Sequence, residues 1–477
     1  MTGKSRRRFV TEVSIASIAA IGVASTTGAA TRSRGREGRD RRRTRGRLDK
    51  LGQVLPPEDD PGHVTYTFGH VDEAGTWGAV SSFPGESLAA SSLYNLENLE
   101  NPELVHELDA PNELTRSNDV KFDPHREGIY VRALEANDEG SFFDPEPDPD
   151  GKFGIEVVDF GWEEGTPEEP EVIAYLETPN MGVHKLTEHP DEPILYVIDK
   201  VANEPGIISV DFSEPDDPEI VEQFGPPGYC HDVEVEAGRE ALHAAYIIGE
   251  TVGYVTFDLS DDPYDPRQLG LFDYEEQPDY TELGEPGFEL AHQIHPEPER
   301  ELAIMGDEKF GGIPGGKHVF DTGWGEGSLG DPVPIGFTHS PDARDQDEEP
   351  GAWTGHFHDV VYDRGEVLLI DGGYTQGAWV ANITDPTDPT PTERYATDDG
   401  IDAVPYAWGA HYNEERDFAF VTDSDTGAYT FDVSAKPARG RDGGGPGHYY
   451  DIDEILGGNE ASSRARSSDG GRFVPPR

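Results

Sequence analysis

Seven stretches of this chain share one plan, and that plan limits the fold more than any other feature. They are SLYNLENLENPELVHEL, EVVDFGWEEGTPEEPEVIAYL, SVDFSEPDDPEIVEQF, TFDLSDDPYDPRQLGLF, HVFDTGWGEGSLGDPVPIGF, VANITDPTDPTPTERY and TFDVSAKP. Each sets an apolar pair before Asp or Asn, followed by a turn that usually holds Asp and Pro. All but the last then resume an extended run. The acid or amide column reads Asn95, Asp159, Asp211, Asp258, Asp321, Asn382 and Asp432, with gaps of 64, 52, 47, 63, 61 and 50 residues. A period of this length means repeated supersecondary units that cannot bury their faces alone.

Each unit also has an earlier pair of strands. HDVEVEAGREALHAAYI, HDVVYDRGEVLLIDG and KLTEHPDEPILYVID all read as hairpins, with alternation, a tight turn and a β-rich run. A hairpin plus strand, turn and strand gives four strands per unit. No stretch above about ten residues has a helical period. The expected fold is all-β, a seven-bladed β-propeller of four-stranded blades over residues 61–437. The seventh unit lacks a good fourth strand, so HVTYTF (His63–Phe68) is expected to complete it and remove two open edges.

At these elements, apolar–Asp–Ile/Val/Leu–Ser/Thr–Asp–Pro, the chain resembles the LVIVD-repeat propellers, secreted proteins of mostly unassigned function. The resemblance covers roughly residues 63–437. It implies architecture and says almost nothing about activity.

The chain holds 96 acidic and 37 basic residues, a net charge of -59. Residues 1–50 carry 14 of the basic residues and only 4 of the acidic ones. A body this acidic repels nucleic acid and anionic membranes. Strong acidity with only 9 Lys resembles proteins of extreme halophiles. The 46 aromatic residues and many apolar runs argue for a folded body over a disordered one.

SRRRFV followed by VSIASIAAIGVAS and TTGAA reads as an export signal over residues 1–30, resembling the twin-arginine type. Residues 31–60, Arg-rich and then Pro-rich, read as a disordered spacer, and 438–477 as a polar tail. No later segment is long and apolar enough to span a membrane. The expectation is an exported, extracellular or cell-surface protein. The single cysteine, Cys230, excludes a disulfide framework and a thiolate zinc cage.

Aligning the first strands of the units gives a second column. GVHKL, YCHDV, LAHQI and HFHDV place His184, His231, His292 and His358 on four consecutive units. SNDV places Asn118 there, AWGAHY offers Trp408 or His411, and FGHVD offers His70. First strands line a propeller's channel, so these positions converge. Imidazoles gathered there could hold Fe, Cu or Zn. His295 and His356 lie near the same mouth, whereas Asp232 and Asp359 should point to the opposite face. The competing reading makes the histidines hydrogen-bonded braces between strands. By resemblance only, carotenoid oxygenases and selenium-binding proteins (methanethiol oxidases) are propellers with metal sites. Neither family's motif is matched here over a long stretch.

Other candidates are weaker. Cys230 beside His231 could be an activated thiolate, but adjacent strand residues face apart. Asp199, Asp307, Asp371 and Asp423 end second strands, where they could bind calcium or simply close turns. Asn382 opens a glycosylation sequon that also falls in the turn column. Two functions stay open. One is an extracellular binding or scaffolding module for a protein, glycan or small molecule. The other is a metal-dependent oxidoreductase with a multi-histidine centre.

Overall fold

A computed structural model describes residues 47–55, 64–84, 89–137, 147–201, 203–277, 287–309, 315–341, 354–399 and 406–435. The proposed export signal, most of the spacer and the tail from residue 438 lie outside the described residues. Within them the protein is all-β. Only short 3-10 turns such as Ala237–Arg239 and Pro298–Arg300 interrupt the strands. Among the described residues no helix is long and apolar enough to cross a membrane.

Strands pair with their sequence neighbours in four-stranded antiparallel sheets. The first runs from Val64–Val71 to Glu103–Asp109, and the third from Val183–Glu188 to Glu219–Phe224. The fourth runs from Tyr229–Glu236 to Arg267–Asp273, and the fifth from Ala291–Glu297 to Val333–Thr338. The second sheet ends with Ile129–Ala136, Gly154–Asp159 and Glu171–Glu177, and its first strand is broken into Thr115–Arg116 and Val120–Phe122. An eight-stranded sheet completes the set. It consists of two antiparallel halves, beginning at Phe357–Asp363 and Ala407–Asn413, joined by one parallel bridge, Phe357 to Gly409. This repetition fits a propeller-like arrangement.

The turn column explains where third strands stop. Those strands end at Asn95, Asp159, Asp211, Asp258, Asp321 and Asn382. Each side chain accepts a backbone N–H two residues on, as from Glu97, Ser213, Ser260 and Thr384. This local bond competes with the ladder and ends the strand. Asp159 and Asp321 go further and gather several N–H groups of their Gly-rich loops.

The core lies between neighbouring sheets. Ile194, Tyr196 and Ile198 of the third sheet meet Val233, Leu242 and Val255 of the fourth. Leu302 and Ile304 of the fifth meet Leu369 and Trp379. Tyr66 and Val80 of the first sheet pack against Phe418 and Phe420 of the eight-stranded sheet. Strands buried on both faces explain the uninterrupted apolar runs such as ILYVID.

One expectation is corrected. Val64–Val71 does not complete the last unit, because it pairs with Trp77–Pro84 as the first strand of its own sheet. The outer position beside Gly427–Val433 is taken by Leu48–Val54, from Leu48 opposite Val433 to Val54 opposite Ala428. That segment falls inside the stretch read as a disordered spacer. Only Leu48 and Gly52 of this strand are fully buried, so its pattern is faint.

Candidate metal centre

Inner strands place the histidines, and bulges aim them. In the third, fourth, fifth and seventh units the first strand slips register between Val183 and Leu186, Cys230 and Asp232, Ala291 and Gln293, and Ala407 and Gly409. The extra residues include His184, His231, His292 and Trp408. A bulged residue leaves the ladder and re-aims its side chain.

Three of the four predicted ligands come together with one substitute. The His184 and His231 Nε2 atoms lie 2.8 Å apart. Ring centroids are 4.3 Å apart for His184 and His231, 4.0 Å for His231 and His292, and 4.3 Å for His292 and His356. His356, not His358, ends this row. Phe357–Asp363 pairs without a register slip. Counting back from its hairpin therefore lands one residue out of phase with the bulged strands, and one residue reverses the face. His358 instead faces a separate cavity near His295, their rings 5.9 Å apart.

The outer nitrogens of the row are committed. His184 Nδ1 bonds the Glu135 carboxylate. His231 Nδ1 donates to the His292 carbonyl at 3.0 Å, and His356 Nδ1 donates to the Trp408 carbonyl. With Nδ1 carrying the proton in each neutral ring, each Nε2 is a lone pair directed inward. This is the arrangement metal-ligating histidines adopt. His292 Nδ1 has no hydrogen-bond partner.

Glu308 joins the row, 3.7 Å from His292 Nε2 and 3.8 Å from His356 Nε2. The ligand atoms of His292, Glu308 and His356 all lie within 4.8 Å of one another. Tyr374 donates its hydroxyl to Glu308 at 2.5 Å, and the same oxygen is 3.0 Å from His356 Nε2.

Burial pushes His231, His292 and His356 well below the usual imidazole range, so they stay neutral and able to ligate. Burial would raise the Glu135 carboxyl, but Arg116, Lys200 and His184 outweigh it and hold it well below the ordinary range. Burial pushes Glu308 up to about 7, against the Tyr374 hydrogen bond. Lys317, wholly buried, bonds Asp371 at 2.6 Å and the His356 carbonyl at 2.5 Å, which fixes the backbone beneath the last imidazole.

Braces between units are made by histidines and by other residues: His231 and His356 reach carbonyls of the next unit, and further groups bind backbone N–H groups across the gap. Asp119, Asp232 and Asp359 accept the N–H groups of Leu186, Ile294 and Tyr412 on the next unit. Gln293 accepts from His358 N, His411 from Val71 N, and His70 from Phe122 N. Asp119, Asp232 and Gln293 each follow their unit's column position, Asn118, His231 and His292, by one residue. Asn118 donates to the His184 carbonyl at 3.0 Å. Trp408 stands 5.0 Å from the His356 ring.

The remaining candidates are structural. Cys230 is buried, its thiol pushed well up by burial and donating to the Asp232 carbonyl, while His231 turns into the row. Asp199 holds the Asn180–Gly182 turn, Asp307 bonds His318 and Tyr274, and Asp371 bonds Lys317 and Trp379. Asp423 accepts from Thr397 and Tyr406 N. Each of these four carboxylates holds its own set of partners, and among the described residues they form no cluster with one another. Asn382 accepts from Thr384 N as a turn residue. Sequence reasoning passed over Glu308, Glu135 and Tyr374, which lie in no repeated column.

No protein-family profile matches the chain, and no curated protein matches it. One similar solved structure is described as that of a functionally unknown protein from Desulfotomaculum acetoxidans DSM 771. It shares 11% identity, covers 70% of this chain and 86% of its own, and has a TM-score of 0.47.

Proposed function

We propose that the protein is an exported seven-bladed β-propeller of the LVIVD-repeat kind that holds a transition metal in its channel. On this reading each four-stranded unit is a blade. The two halves of the eight-stranded sheet are the sixth and seventh blades, and Leu48–Val54 closes the ring. The packing of Tyr66 and Val80 on Phe418 and Phe420 supports closure.

The observation that carries the metal is the meeting of His184 and His231. Both Nδ1 protons are given to acceptors, so two lone pairs face each other at 2.8 Å. Two such lone pairs repel unless a cation lies between them. Two nitrogens on one ion at ~2.0–2.1 Å would stand about 3 Å apart. His184, His231, His292 and His356 are the proposed ligands, with Glu308 beside them. A neutral imidazole set suits Fe, Cu or Zn. Bound there, the ion would supply Lewis-acid or redox chemistry. The reading is a metal-dependent oxidoreductase.

The chain's own groups have definite parts in it. Glu135 orients His184, and the His292 and Trp408 carbonyls orient His231 and His356. Tyr374 and Glu308 hold a proton between them beside the ligand row. Phe357 flanks the row, its ring 4.9 Å from the His292 ring.

The test is elemental analysis of folded, untagged protein in high salt. Near one equivalent of a transition metal, lost in His231→Ala/His356→Ala and kept in His358→Ala, is the expected result. A folded wild type that takes up no Fe, Cu or Zn overturns it.

A further inference from the structure

Beyond the ligand row, on the far side of Phe68 and Phe357, lies a cavity of about 190 Å³. At ~30 Å³ per water this is room for about six waters, or one small molecule of similar bulk. The two phenyl rings meet edge to face at 5.3 Å and make its apolar floor.

The wall of this cavity is made of charges that already have partners. Lys121 lies 3.5 Å from Glu234, His295 lies 3.3 Å from Asp359, and His70 lies 3.9 Å from Glu188. Lys185 bonds Asp119 at 3.1 Å and stands over both phenyl rings, 3.8 and 4.3 Å from their centres. A charged ligand would have to break these pairs and lose its own hydration. His70 and His411 accept backbone N–H groups at Nδ1, so when neutral both keep their remaining proton on Nε2.

Two groups in the wall lack partners. His358 is 2% exposed, and neither ring nitrogen has a hydrogen-bond partner. Glu188 Oε2 is buried and likewise without one. A neutral imidazole needs one donor and one acceptor, and the carboxylate needs a donor. A hydroxyl group supplies either. Buried polar groups left open in this way cost about 1–3 kcal/mol each until something meets them.

We propose that this cavity binds a small neutral polyhydroxylated molecule, up to the size of a monosaccharide. Its hydroxyls would bridge the paired charges, donate to Glu188 and satisfy both nitrogens of His358. Its C–H face would rest on Phe68 and Phe357. This site is separate from the ligand row and does not depend on the metal reading.

The experiment is calorimetric titration of the full chain in high salt with glycerol, myo-inositol, glucose and galactose, against glycine and acetate. The expected result is binding of at least one polyol, with affinity lost at least tenfold in His358→Leu. Glu188→Gln, a near-isosteric change at the rim, should lose severalfold while keeping wild-type metal content. Binding by none of the four polyols overturns the proposal. So does binding that both variants leave unchanged, or binding of glycine or acetate alone.

Discussion

His184 and His231 face each other through their Nε2 atoms at 2.8 Å while both Nδ1 atoms are held by acceptors. On the proposed metal reading, loading the protein with a transition metal should raise its melting temperature. A ligand at 100 times its Kd contributes about 2.7 kcal/mol. Chelation followed by scanning calorimetry checks this, and His184→Ala should abolish the difference between loaded and stripped protein.

Glu135 touches no other ring of the row, so its effect runs through His184. Glu135→Gln should weaken metal affinity by about 10–100-fold, the range seen when such orienting carboxylates are lost. Competition with a chromophoric chelator reads this directly. Arg116 and Lys200 lose the charge of the Glu135 carboxylate in the same variant, so stability should be measured alongside.

Asp232 is a brace and should behave as one. Asp232→Ala leaves the Ile294 N–H without its acceptor. The expected cost is about 1–3 kcal/mol in urea unfolding, with metal stoichiometry unchanged. Loss of metal without loss of stability would make Asp232 part of the centre instead.

Glu188 sets a pH dependence. Burial pushes its carboxyl up to about 7, with Lys121 drawing it down and Glu234 and Asp119 pushing it up; His70 also faces it. The folded chain thus keeps a proton that the unfolded chain releases near 4.5. Its contribution to stability is largest below that value, falls as pH rises to about 7, and is level above. In Glu188→Gln this part of the stability profile should flatten.

Gly52 tests the outermost strand. A Cβ there would lie 2.3 Å from the Leu99 carbonyl oxygen and 2.7 Å from Pro102 Cδ. Gly52→Ala should cost about 1–3 kcal/mol through overpacking. Thermal unfolding of the variant reads this cost.

The repeat was legible because its physics is local. An Asp or Asn that bonds the N–H two residues on stops a strand wherever it falls, so Asp211 and Asp258 could be read without any tertiary contact. His184, His231 and His292 were legible for the same reason, as a column in register. His356 was not, since the missing register slip in Phe357–Asp363 is decided by pairing across the hairpin. Glu308 and Tyr374 belong to no column and reach the row only through packing. Leu48–Val54 was hidden by its surroundings, with two buried residues in seven beside an arginine-rich stretch.

Leu48–Val54 also orders events in time. As the polypeptide leaves the ribosome, Leu48 emerges long before its partner Val433. Leu48–Val54 therefore waits for a partner until Gly427–Val433 has been made. Such a long-range pairing is slow to form and comes after the local hairpins. Until then Leu48–Val54 has no strand to pair with, and once Gly427–Val433 is made its edge stays open until Leu48–Val54 docks, a surface prone to pair with a neighbour. A chaperone that guards this chain would have to recognise that edge, and release should coincide with the arrival of its own amino-terminal segment.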